Sequence, residues 1–286
     1  MSSREVQRVG AYRSAWGEGP IWWDDALYYV DIEGHRVLRW TDGGEEEEEL
    51  IIECGERVGL VVPRSRGGLV IAGDTGFHFL EADATKTFIA DPEPDIAENR
   101  FNDGKCDPQG RLWAGTISTA KIEGSARLYR LDADGAVHQK YGPVTNSNGI
   151  CWSLDGTRMY YIDTPTKKVL EFPFDGESGD LGKPKVLVDT SEIEGAPDGM
   201  TIDAEGQLWV AFCRGSAVRR FDGASGAEIE ALEIPCTGVT AVAFGGPDLK
   251  TLFVTTGQFK DPEQGAGYLY AAEVGVAGVP AFPFAG

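Results

Sequence analysis

Histidine and methionine are scarce in this chain of 286 residues, three of each. The histidines, His35, His78 and His138, fall in or beside segments read as outer strands, and no Gly-x-Ser-x-Gly elbow occurs. A serine-hydrolase triad therefore lacks its parts. Cysteine is sparse as well: Cys54, Cys106, Cys151, Cys213 and Cys236 are odd in number and never form a Cys-x-x-Cys pair. That pattern excludes a disulfide framework and a thiolate metal site, leaving reduced thiols in or near the core. Positive charge is also in deficit, with 26 Lys and Arg against 46 Asp and Glu and a net charge of −20. Neither a phosphate backbone nor an anionic membrane surface suits such a chain, so neither nucleic acid nor membrane is expected as a partner. No apolar run approaches the roughly 20 residues needed to span a bilayer, and the segment from Met1 to Arg8 is too polar for a signal peptide. The expectation is a soluble, cytoplasmic protein, monomeric or weakly dimeric. Gly179 to Lys183 lacks the spacing of a phosphate loop and runs into Pro184.

What the chain has in quantity is glycine, 38 residues, with 15 prolines. That is the composition of many short strands and tight turns. One phrase recurs six times: Ala26-Leu27-Tyr28-Tyr29-Val30-Asp31, Gly68-Leu69-Val70-Ile71-Ala72-Gly73, Arg111-Leu112-Trp113-Ala114-Gly115-Thr116, Arg158-Met159-Tyr160-Tyr161-Ile162-Asp163, Gln207-Leu208-Trp209-Val210-Ala211-Phe212 and Thr251-Leu252-Phe253-Val254-Thr255-Thr256. Its Leu or Met, at 27, 69, 112, 159, 208 and 252, returns every 42 to 49 residues, the length of a four-stranded propeller blade. Upstream of most copies a short apolar strand ends in an Asp/Gly/Pro turn, and downstream an alternating segment such as Arg36-Val37-Leu38-Arg39-Trp40 supplies a further strand. The reading is all-β, a six-bladed β-propeller formed by residues 1–286 as one domain, with these phrases as the inner strands. The segment from Val6 to Tyr12 would close the ring against the last blade. A two-sheet sandwich would share the turns but not the period.

In a propeller the inner strands begin near a central channel, so residues just before each of them converge there. Four blades present polar groups beside glycine there: Glu18 in Gly17-Glu18-Gly19-Pro20, Arg100 and Asn102 in Arg100-Phe101-Asn102-Asp103-Gly104, Asn148 in Asn146-Ser147-Asn148-Gly149, and Asp198 in Pro197-Asp198-Gly199. Glu18, Asn148 and Asp198 are three hard oxygen donors, suited to Ca²⁺, Mg²⁺ or Mn²⁺. The same residue types also cap strand starts for purely local reasons, and both readings stand at this point. Asp132-Ala133-Asp134-Gly135 opens like a calcium loop, but its twelfth position is Pro143, so it is read as a hairpin turn. The run from Glu45 to Glu49 reads as a solvated hairpin tip leading into the outer strand of the first blade.

The strings Gly17-Glu18-Gly19-Pro20-Ile21-Trp22, Arg100-Phe101-Asn102-Asp103-Gly104-Lys105, Ser147-Asn148-Gly149-Ile150-Cys151-Trp152, Pro197-Asp198-Gly199-Met200 and Phe244-Gly245-Gly246-Pro247-Asp248 together resemble the senescence marker protein/gluconolactonase family, and the resemblance runs to the terminal Phe284-Ala285-Gly286. It implies a six-bladed propeller that hydrolyses sugar lactones with one divalent metal at the channel mouth. Ca²⁺ is the first expectation, and Zn²⁺, Mn²⁺, Mg²⁺ and Fe²⁺ are alternatives. It also implies Glu18, Asn148 and Asp198 as metal ligands, Asp198 as the acid/base, and Arg100 and Asn102 as substrate-binding residues. One departure stands out. The animal members, the regucalcins, carry a substrate-contacting Glu where this chain has Ala120, in Ile117-Ser118-Thr119-Ala120-Lys121.

The expected chemistry is a carbonyl polarised by the cation and attacked by water that Asp198 deprotonates. A calcium-binding regulatory protein without turnover is the competing class, and an esterase or organophosphate hydrolase on the same scaffold is a third. Arg100 beside the metal residues favours the enzyme, because binding a cation alone would not require it.

Overall fold

The computed structural model describes residues 4–42, 48–81, 83 and 85–286. Its strands form six antiparallel sheets arranged as a β-propeller, and among the described residues the only helical piece is the 3₁₀ turn Thr164–Thr166. No helix among them is long and apolar enough to cross a membrane. The strands closest to the axis are Gly17–Trp23, Val58–Pro63, Asn99–Cys106, Ser147–Trp152, Ala196–Ile202 and Val239–Gly245, each packed against the inner strands of its neighbours.

The recurring phrase proves to be the second strand of each blade, Ala26–Asp31, Leu69–Gly73, Leu112–Ser118, Arg158–Asp163, Leu208–Cys213 and Thr251–Thr256, and not the inner one. The physical reason is burial. A second strand has sheet neighbours on both edges and other blades against both faces, so nearly every position is apolar and the repeat stays sharp. Leu27, Trp113, Tyr160, Tyr161 and Trp209 in these strands are fully buried. The inner strands interrupt their apolar pattern to carry site residues, which blurs the repeat there.

The fourth blade departs from the four-strand pattern: Lys168–Asp175 pairs with both Asp180–Leu181 and Lys185–Asp189. Of the acidic run, residues 45–47 lie outside the described residues; the backbone of Glu48 and Glu49 begins the outer strand Glu48–Glu53. The Asp132–Ala136 segment is a hairpin turn, closed by Asp132 N–H to Ala136 O at 2.9 Å. All five cysteines are free thiols, four of them buried. His78 packs its ring against Phe88, and His138 meets Asp132 at 3.2 Å.

Carboxylates tie the turns to the strands. On one face Asp107 and Asp203 occupy repeat-equivalent positions, each accepting an indole N–H at 2.9 Å, from Trp113 and Trp209, and two backbone N–H groups of its own turn. On the other face Asp31 accepts the N–H groups of Ala15, Trp16 and Gly34, and Asp163 accepts those of Thr145 and Asn146. These fix the segments that lead into two of the inner strands.

The ring is closed twice. Gln7–Val9 adds the outermost strand to the sixth blade, pairing with Leu269–Glu273. After that strand the C-terminal segment crosses the face opposite the inner-strand starts. It bonds to Leu249 of the sixth blade and Ala204 of the fifth, then to Pro63 of the second and Gly110 of the third, at 2.8 to 2.9 Å. Phe284 is its anchor, buried among Val62, Leu112 and Phe79. Phe284→Ala is expected to lower unfolding free energy by about 3 kcal/mol, the cost of truncating a well-packed aromatic. Equilibrium denaturation checks this, and a change below roughly 1 kcal/mol would show that the C-terminal crossing is not a structural brace.

Candidate active site

Each inner strand breaks its pairing with the second strand at the same height. The register shifts fall between Glu18 and Ile21, Val58 and Leu60, Phe101 and Gly104, Asn148 and Ile150, Pro197 and Met200, and Val239 and Ala241. A bulge re-aims side chains that a regular strand would commit to one sheet face or the other. Glu18, Asn102, Asp103, Asn148 and Asp198 all lie at these six breaks, so blades one, three, four and five direct polar groups toward the axis. Blades two and six offer Val58-Gly59 and Val239-Thr240 instead.

Glycine permits this crowding. A Cβ at Gly149 would stand 2.7 Å from Asp198 O, and one at Gly199 would stand 2.4 Å from the Ala241 Cβ. Both distances are far inside van der Waals contact, so the inner strands could not approach this closely with any larger residue.

Glu18, Asn148 and Asp198 are 4%, 2% and 6% exposed. Burial drives the Glu18 carboxyl well above its ordinary range, with repulsion from Asp198 and Asp103 adding to it. Asp198 is pushed well up by burial and then by Asp103, while the Asn148 side chain and the Gly199 backbone N–H draw it partly back. Arg100 is pulled down to about 10, by burial first and then by Arg57, against the opposing pull of Glu33, Asp74 and Glu18. Glu18 is thus in the field of Asp198, Asp103 and Arg100, and Asp198 in that of Asp103.

At the inner-strand breaks two buried oxygens, Asn148 Oδ1 and Asp198 Oδ1, have no hydrogen-bond partner, and unlike the unpartnered oxygens of Glu56, Asp132 and Glu171 elsewhere they belong to side chains with no ion pair among the described residues. An orphaned acceptor in a dry site costs about 1–3 kcal/mol. A hard cation would satisfy both and relieve the repulsion that raises Glu18, so the donor set fits a divalent metal held by Glu18, Asn148 and Asp198. Among the described residues no three His, Cys, Asp or Glu side chains form such a site on their own, so a fit here depends on counting the amide oxygen of Asn148.

The Asn148 amide is oriented by its other end: Nδ2 donates to Thr164 Oγ1 at 3.0 Å, and that hydroxyl donates to Pro197 O at 2.9 Å. Thr164 thus ties the strand of Asn148 to the strand of Asp198. Arg100 Nη1 donates to Asn102 Oδ1 at 2.9 Å and to Phe101 O at 2.8 Å, leaving Nε unpartnered. Asn102 Nδ2 donates in turn to Ser147 O at 2.8 Å and to Asn146 Oδ1 at 3.2 Å. The five residues expected from the sequence are therefore brought together by the fold.

Asp103 and Thr164 were not anticipated. Asp103 is buried with its carboxyl raised by desolvation, offset by Lys105 and the Gly104 N–H. Its signal was present, since Glu18, Asp103, Asn148 and Asp198 each immediately precede glycine. Thr164 left no comparable trace, because it acts from the turn after the second strand of its blade. Ala120 is exposed on the turn that follows Leu112–Ser118, and Trp16, half-buried, packs edge-on to Phe259 at 5.4 Å between ring centres.

Comparison with known proteins agrees with this geometry. The family model described as SMP-30/Gluconolactonase/LRE-like region matches residues 16–258. A putative sugar lactone lactonase of Bacillus subtilis is 38% identical, covering 96% of both chains, and regucalcin of Danio rerio is 37% identical over the full length of both. The solved structure of a calcium-binding protein, regucalcin, from Agrobacterium tumefaciens superposes with a TM-score of 0.92 at 26% identity, covering 99% of each chain. A propeller whose inner-strand bulges gather these side chains, matched by the family model across all six blades, is a member of the SMP-30/gluconolactonase/LRE-like family.

Proposed function

We propose that this chain is a lactonase that opens sugar lactones with the help of one divalent cation held by Glu18, Asn148 and Asp198. The observation that carries the reading is the pair of orphaned oxygens, Asn148 Oδ1 and Asp198 Oδ1, beside the buried Glu18, on which Asp198 and Arg100 both act. The name of the Bacillus subtilis relative, a putative sugar lactone lactonase, supports the substrate class, and the calcium-binding relative supports Ca²⁺ as the first metal to test.

Once bound, the cation supplies Lewis-acid polarisation of a carbonyl oxygen. Asp198 takes a proton from water as the water oxygen bonds to the lactone carbonyl carbon. The ring C–O bond then breaks, and the proton held at Asp198 passes to the departing alkoxide. A carboxyl that burial has already made basic suits this exchange. Arg100, with Nε unpartnered, and Asn102, fixed at both ends, orient the hydroxyls of the sugar. At position 120 this chain offers a methyl group and no carboxylate, so recognition there differs from that of the regucalcins.

Proton release from δ- and γ-lactones of several sugars, corrected for spontaneous opening, tests the reading. Chelation is expected to bring the rate to background, and Asp198→Ala to lower kcat/KM by at least roughly 100-fold. Turnover that persists in chelator, or in Asp198→Ala at full rate, would sink the mechanism. Arg100→Gln should lower kcat/KM by about tenfold or more while leaving the metal-induced rise in Tm intact. Metal binding with no turnover of any lactone would favour the regulatory class instead.

Metal binding also has a pH signature. The folded-state pKa values of Glu18 and Asp198 are raised, so their contribution to stability is fully present below the unfolded carboxylate range and is lost as pH rises through the folded values. Cation binding reverses that trend, because it requires both groups ionised. The rise in Tm on adding Ca²⁺ should therefore be larger at pH 7 than at pH 5, and it should be absent in Asp198→Asn. A rise independent of pH, or unchanged in Asp198→Asn, would place the ion elsewhere.

A further inference from the structure

The face opposite the carboxylates holds a cavity of about 680 Å³, where the lower ends of five inner strands splay apart and the C-terminal segment covers one side. Trp22, Trp152, Phe174, Phe244 and Phe282 contribute to its walls. That volume is typical of sites for small organic molecules, roughly 300–1,000 Å³.

One side chain breaks the apolar character at its inner end. Lys105 borders both this cavity and the narrow channel that leads toward Asp103 and Met200. Its Nζ donates to Met200 O at 2.8 Å, and it has no ion pair among the described residues. Asp103 acts on it through space without forming a salt bridge. The acidic residues of the wall, Asp155 and Glu177, are exposed at the rim, and Asp155 Oδ1 is already engaged by Ser153 and Thr157. A half-buried ammonium with two N–H donors to spare is a mismatch that an anion would correct, all the more in a chain of net charge −20. The walls are mostly apolar, with Ser153, Thr157 and Thr201 among the few polar groups, so an apolar body is favoured over a polyhydroxylated sugar or a strongly hydrated phosphate, which would recover few of the hydrogen bonds they lose to water.

We propose that this cavity is a second binding site, for a small and largely apolar carboxylate whose head group pairs with Lys105 while its body lies against the aromatic walls. The proposal is independent of the lactonase reading.

The full chain is titrated with decanoate, followed by fluorescence of the wall tryptophans Trp22 and Trp152 and by calorimetry, with decanol and decylamine as neutral and cationic comparators. Decanoate should bind once per chain and roughly tenfold or more tighter than decanol, the increment of a charge-assisted contact in a dry site. Decylamine should bind more weakly than either. Lys105→Met should reduce decanoate to the affinity of decanol, and Asp198→Ala should leave it unchanged. If Lys105→Met fails to fold, Ala281→Trp, which fills the cavity from the C-terminal side, should abolish binding of both decanoate and decanol. Equal binding of decanoate and decanol, no saturable binding of decanoate, binding that survives Ala281→Trp, or loss of binding in Asp198→Ala would each overturn the proposal.

Discussion

The structure depends on one unfavourable act: keeping Glu18 and Asp198 buried at the axis beside a third carboxyl, Asp103. Burying a carboxylate without a partner costs several kcal/mol, and placing others nearby costs more. A single sheet could relax by turning one of these side chains to solvent. The ring removes that freedom. Each residue sits at a bulge on an inner strand whose neighbours press from both sides, and Gly149 and Gly199 are the points of closest approach. The closures at the N-terminal strand and the C-terminal crossing matter because an opened ring would let the carboxyls separate. Strain at the centre is thus maintained by packing distributed around the circumference, which is the arrangement expected where binding energy for a cation is stored in advance.

Legibility from sequence followed the same division. The second strands announce the architecture, since Leu27, Leu69, Leu112, Met159, Leu208 and Leu252 occupy positions where two sheet neighbours and two blade faces leave no alternative to apolar residues. The site was legible through position, as Glu18, Asn148 and Asp198 recur just ahead of glycine on successive blades. Asp103 shared that signal but was overshadowed by Arg100 and Asn102, which the family resemblance put forward. Thr164 and the C-terminal crossing left none. A hydroxyl that orients an amide from a turn, or a segment held by isolated backbone hydrogen bonds to four blades, obeys no period. The mistaken placement of the repeated phrase at the axis has the same origin: functional strands tolerate polar interruptions, so the clearest repeat belongs to the strand with the least to do chemically.

The net charge of −20 divides along these lines. Most acidic residues lie on turns and outer strands, where they favour solubility. A smaller group works as turn fasteners: Asp31, Asp107, Asp163 and Asp203 each accept several backbone or indole N–H groups, and their charge is absorbed by those donors. Among the described residues, only Glu18, Asp103 and Asp198 are buried near one another with so little compensation. Asp203, satisfied by Trp209, Arg220 and its own turn, contrasts with Asp198, whose buried Oδ1 has neither a hydrogen bond nor an ion pair among the described residues, and this marks Asp198 as the candidate for chemistry.

Lys105 connects the two ends of the channel in physical terms. It lies on the strand that carries Arg100, Asn102 and Asp103, and it donates to Met200 on the strand that carries Asp198. Its positive charge eases the ionisation of Asp103, whose own charge in turn raises Glu18 and Asp198. Along one inner strand, then, the sequence alternates cation, amide, anion and cation over six residues. The ammonium at the far end acts on Asp103 directly, and on Glu18 and Asp198 only through it. The same inner strand therefore serves both faces of the propeller, with Asp103 and Gly104 between the groups at the bulge and the ammonium at the cavity.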